Sequence, residues 1–135
     1  MALFTLHVVA LICVANAFGG MIFFMMVLAP AAFRTLERPQ AARITRQVFP
    51  RYDMYLAELQ GAGGAALLPA HSYGVKVSTL GITCIVNLLL RQFLLQRTDR
   101  VRVSGPATFS RLHRLSVNIN IGLFAAVATV LVRLL

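Results

Sequence analysis

Apolar residues run almost without a break from residue 3 to 30, more than the about 20 residues a helix needs to cross about 30 Å of hydrocarbon. Two further apolar runs, 75–95 and 112–134, are long enough to do the same. A fourth stretch, 52–68, carries Asp53, Glu58 and Gln60 and is the easiest to miss by hydropathy alone. Its Ala57, Gly61 and Ala65 recur every fourth residue, and small residues at that spacing let helix backbones approach closely inside lipid. Gly19 and Gly20 offer the same device on the first run. The pattern predicts one all-α domain over 1–135: an integral membrane four-helix bundle built as two hairpins.

The breaks between the runs fit that division. Pro30 marks where the first helix leaves the membrane, and Pro39 and Pro50 bracket residues 40–49. There Ala41, Ile44 and Val48 fall opposite Arg43 and Arg46 on a helix, which predicts a short helix lying on the membrane surface. Residues 69–74 form a turn, and Gly105-Pro106 breaks the connection at 96–111. Ala15-Asn16-Ala17 imitates a signal-peptidase site, yet residues 1–7 hold no Lys or Arg and the apolar run continues past the triplet. The first run therefore reads as an uncleaved span.

Composition supports a membrane solvent: 59% of the chain is hydrophobic and only 13% charged, more apolar surface than a soluble domain of 135 residues can hide. The formal net charge of +9 would suit nucleic acid, but its distribution argues for topology. Arg34, Arg38, Arg43, Arg46 and Arg51 cluster around the 31–51 connection, and Arg91, Arg97, Arg100, Arg102, Arg111 and Arg114 around the 96–111 connection. Lys76 and Arg133 stand at the opposite ends of the runs. Basic loops face the cytoplasm, so both termini are expected on the non-cytoplasmic side, with anionic lipid rather than nucleic acid against the basic loops. The excess of Arg over Lys and the Ala-rich composition point to a bacterial inner (cytoplasmic) membrane, crossed several times.

Polar residues inside hydrocarbon are the candidates for chemistry, since an ionisable one costs about 2.5 to 3.5 kcal/mol there. Glu58 shares a helix face with Gly61, Ala62 and Ala65, which predicts that it points inward. Asn16, Asn87 and Asn120 offer one amide from each of the other spans at compatible depths, and His113, Ser116 and Asn120 fall on one stripe. Three readings of this interior site stay open: hydrogen bonds that fix which helices are neighbours, a titratable carboxyl serving a proton-linked carrier, and a ligand pocket. Asp53, nearer the interface, is expected to form a solvated ion pair with a neighbouring arginine. Cys13 and Cys84 sit singly in apolar runs and read as small packing residues. No metal site is predicted. His7 and His71, both on the outer side, keep haem or copper as an alternative, while His113 lies at the other surface and cannot share an ion with them. No nucleophile elbow, phosphate-binding glycine loop, zinc motif or dinucleotide fingerprint occurs.

Gly19-Gly20-Met21, Ala29-Pro30, Phe33-Arg34, Ala41-Ala42, Phe49-Pro50 and Tyr52, followed by Phe109-Ser110-Arg111-Leu112-His113, Ser116 and Asn118, resemble a four-span membrane family of unknown function, DUF4149, which includes the transmembrane-protein-205-like proteins. The resemblance implies a four-span fold and membrane residence, and brings no reaction. His7 with Gly19-Gly20 is also similar to small four-span proteins linked to copper resistance and haem synthesis. Taken together, the residues predict a non-enzymatic accessory or scaffolding subunit, either self-associated or bound in a larger membrane complex. The alternatives are a small permease or proton-linked carrier centred on Glu58, and a haem- or metal-binding redox protein using His7 and His71.

Overall fold

The structure, a computed structural model, describes residues 1–69, 74–101 and 106–135, and all its described regular elements are helices. Helix α1 (Ala2–Phe23) passes through a wider π turn (Phe24–Leu28) into α2 (Ala29–Thr35). Helix α3 spans Arg38–Leu67, α4 Gly74–Val101 and α5 Pro106–Leu134. Among the described residues, three helical stretches are long and apolar enough to cross a membrane: Ala2–Ala32, Gly74–Phe93 and Arg114–Leu134. The chain is thus an all-helical membrane protein. Helix α3 lies outside that set because Asp53, Glu58, Gln60 and its arginines dilute its apolar residues.

Two expectations about the connections are corrected. The surface helix at 40–49 and the run at 52–68 are one continuous helix, and helix also occupies most of 96–111. Prolines explain why the breaks fall elsewhere. Pro39 stands in the first turn of α3, where a missing N–H is no loss, and extended backbone at Leu36 and Glu37 makes the actual break. Pro50 interrupts one backbone bond inside α3, but the helix continues through it. At Pro30 the ring crowds the carbonyl four residues earlier, and the chain answers by widening the preceding turn: the Ala29 N–H reaches back to Phe24 O, five residues away.

The long helices form a closed ring of neighbours, α1 against α3, α3 against α4, α4 against α5 and α5 against α1. Cross-contacts fix their directions as alternating. Gly63 faces Ala10 and Val14, while Tyr52 stacks on Phe24, so α3 runs antiparallel to α1. Phe18 stacks on Phe124 at 4.8 Å between ring centroids, tying α1 to α5. Ala10, Val14, Ala17 and Met21 make the inward stripe of α1 and meet Leu56, Leu67, Leu80, Leu123 and Val127. At the end where α5 finishes, the His7 Nε2–H donates to Leu134 O (3.1 Å) and Lys76 Nζ donates to Arg133 O. These carbonyls lack helical partners, and a cation is favoured at that end of the helix dipole.

Candidate functional site

Helix α3 is flanked on two sides, so it has two inward faces. Toward α1 it presents Gly63, where an added Cβ would stand 3.3 Å from Cys13 Cβ and 3.6 Å from Ala10 O. Toward α4 it presents Ala57, Gln60 and Gly64, the last with Leu80 Cβ at 3.6 Å from the same construction. Gly63 and Gly64 are therefore the close-approach positions. Of the small residues expected to pack, Ala57 is buried, whereas Gly61 and Ala65 lie on the exposed face. Gly20 carries the Tyr55 ring, with Cε1 only 3.1 Å from where its Cβ would be, and Gly19 has nothing within 4 Å.

A polar seam follows the α3–α4 contact. Gln60 and Asn87 are both fully buried, and Asn87 Nδ2 donates to Gln60 Oε1 at 2.9 Å. Their remaining amide atoms, Gln60 Nε2 and Asn87 Oδ1, make no hydrogen bond among the described residues. One turn away the Cys84 thiol donates to Ala57 O (3.3 Å), and the buried Thr83 hydroxyl donates back to Leu80 O (3.0 Å). Toward the arginine-rich end, Asp53 is 3% exposed and interacts electrostatically with Arg91, whose Nη1 reaches Met54 Sδ at 2.8 Å. Burial of Asp53 corrects the expectation of a solvated pair.

Glu58, Asn16 and Asn120 do not join this seam. Glu58 stands on the outer face of α3 with Gly61, Ala62 and Ala65, all exposed. At about 100° per residue it lies about 140° from Gly63 and about 160° from Gln60, so a helix that buries those two must turn Glu58 outward. Asn16 is exposed and donates to Ile12 O of its own helix (2.8 Å). Asn120 is half-buried and donates to Ser116 O (2.9 Å), again within one helix, with Ser116 itself half-buried. Among the described residues, only Asn87 of the expected amides and acid meets a side-chain partner on another helix. His71 lies outside the described residues, and His113 is described through its backbone, in α5. His7 Nε2 is engaged by the Leu134 carbonyl. Among the described residues, no group of three or more His, Cys, Asp or Glu is placed to hold a metal ion.

A second feature flanks α1. An open groove of about 600 Å³ runs between α1 with its π turn and α3, lined by Asn16, Gly19, Phe23, Leu28, Val48 and Tyr55 among others. The π turn shapes one wall: Phe24 is held by Tyr52 (stacked, 4.3 Å) and by Phe49 (edge-on, 4.8 Å). Tyr55 also borders a neighbouring cleft of about 260 Å³ lined by Pro50, Arg51, Met54, Glu58 and Arg91. The hydrophobic pattern of the sequence signalled neither feature, because both depend on how α3 is rotated between its neighbours.

Comparison with known proteins adds a family but no chemistry. A family model described as a domain of unknown function (DUF4149) matches residues 12–107. An uncharacterised protein of Aquifex aeolicus (strain VF5) is 29% identical over 106 residues, covering 75% of each chain. No solved structure matches the chain.

Proposed function

Since the chain belongs to DUF4149, a family of unknown function, we propose its role from its own residues: a four-span accessory subunit of a bacterial inner-membrane assembly. The observation that carries this reading is the outer face of α3. Ala62 and Ala65 follow one another along the exposed side of α3, with the equally exposed Glu58 and Gly61 at its edge toward α4. If α3 crosses the bilayer beside α1 and α4, that stripe would set a carboxylate and almost no side-chain bulk against lipid. A second membrane helix is the better neighbour, since small residues allow close approach and a partner can hydrogen-bond the acid.

Support for α3 as the fourth span comes from its packing along two helices that are themselves apolar enough to cross. Clustering of arginines around the 31–51 and 96–111 connections supports a cytoplasmic position for both, with the termini outside.

The test is purification in mild detergent followed by mass spectrometry of companions. A defined companion should co-purify with the natural chain and be lost from Ala62→Phe, a change on the exposed face that leaves the core alone. A lone monodisperse species carrying no companion would overturn the reading.

A further inference from the structure

The groove between α1 and α3 is unused by the accessory role, and its chemistry changes along its length. At about 600 Å³ it falls within the about 300–1,000 Å³ common for small-molecule sites. Phe23, Leu28 and Val48 give it a hydrocarbon and aromatic lining, and Gly19 leaves it open where any side chain would intrude. It runs along α1, a helix apolar enough to cross a membrane. Charge is met beyond Tyr55, which the groove shares with the cleft of Arg51 and Arg91.

The cleft carries two guanidinium groups, only one of them already faced by a buried acid. Arg51 is exposed, Arg91 is held against Met54 by its Nη1–H and interacts with the buried Asp53 behind it, and Glu58 is the acid among the described lining residues. Arg34 and Arg43 are exposed at the same end of the bundle. Guanidinium groups are planar donors that match phosphate oxygens in pairs. A small anion would leave the aromatic groove empty, and a neutral lipid would leave the exposed Arg51 unmatched. The occupant that uses both halves is an amphiphile with a hydrocarbon chain beside a phosphate.

We propose that the groove and cleft together hold one anionic phospholipid, with an acyl chain between α1 and α3 and the phosphate against Arg51 and Arg91. Tyr55 sits at the junction, with its ring over Gly20. This site goes beyond the accessory role and does not depend on it: a chain with no companion subunit would still bind the lipid.

Native mass spectrometry of the full chain tests it, in micelles supplemented with equal amounts of phosphatidylglycerol and phosphatidylcholine. One phosphatidylglycerol per chain should be retained in preference to phosphatidylcholine. Arg51→Gln should lower that retention about fivefold, the effect of one basic residue near an anionic surface, and Glu58→Gln should raise it. Gly19→Leu intrudes on the groove from a position where an added Cβ meets nothing within 4 Å, so it should abolish retention while helix content and melting stay those of the natural chain. Equal retention of the two lipids, or retention indifferent to Arg51→Gln and Gly19→Leu, would overturn the proposal. So would a neutral isoprenoid found in place of phospholipid, or a lipid-free dimer that Gly19→Leu dissociates, which would make a second copy the occupant.

Discussion

Two amides facing each other can share two hydrogen bonds, and Gln60 and Asn87 share one. The buried donor and acceptor left over make this pair the point where the interior is most sensitive to a single change. Truncating one partner strands the other, at about 1–3 kcal/mol for a buried polar group; inside membrane proteins such pairs couple by about 0.6 kcal/mol on average and about 1.7 at most. Asn87→Leu alone should therefore lower stability by about 1–2 kcal/mol, and adding Gln60→Leu should restore most of the loss. Reversible unfolding in mixed micelles measures this as a double-mutant cycle, and strict additivity of the two changes would show that the pair does not act as a unit. Asn87 was legible in the sequence as an interior amide, because a lone Asn in a long apolar run has few other places to go. Its partner was not: Gln60 and Glu58 are two residues apart on the same helix, and choosing between them requires knowing which side of α3 the neighbours occupy.

At the level of elements, glycine placement decides how near α1 and α3 can come. Gly63 has the Cys13 side chain and the Ala10 carbonyl in front of it, whereas Ala62, the preceding residue, faces outward. Gly63→Leu should cost about 1–3 kcal/mol through overpacking, while Ala62→Leu should leave the melting temperature of the companion-free chain in detergent within a degree or two of the natural one, since surface changes stay within about 0.5 kcal/mol. Equal melting of both variants would mean that the α1–α3 contact is looser than the structure has it. The three apolar spans could be read directly from their hydropathy, since composition and length suffice for them. The bounds of α3 could not. Pro39 and Pro50 looked like terminators, but a proline in a first turn starts a helix, and one inside a helix that is packed on two sides is tolerated. The π turn likewise had no signature beyond Pro30, since the wider turn is a response to that ring and not a property of Phe24–Leu28 themselves.

For the whole molecule the open question is one of parity. Four crossings return the chain to the side on which it began, and three do not. Reporter fusions at residues 1 and 135 should both report the non-cytoplasmic side, and fusions near residues 36 and 104 should both report the cytoplasm. Opposite sides for the two ends would mean that α3 lies along the membrane instead of through it, and the outer stripe of Glu58, Gly61, Ala62 and Ala65 would then face an interface and need no helix to cover it.

The unbroken run of α3 through Pro50 also has a mechanical consequence. Thirty helical residues extend about 45 Å, against about 30 Å of hydrocarbon, so if α3 crosses the bilayer, roughly ten residues must project beyond it as a stiff extension. The stretch that projects is the one carrying Arg43 and its neighbours. Those charges would then sit at a set height above the headgroups on a rod rather than on a slack tether, and whatever binds them meets a surface whose shape is already fixed, with little chain entropy left to lose.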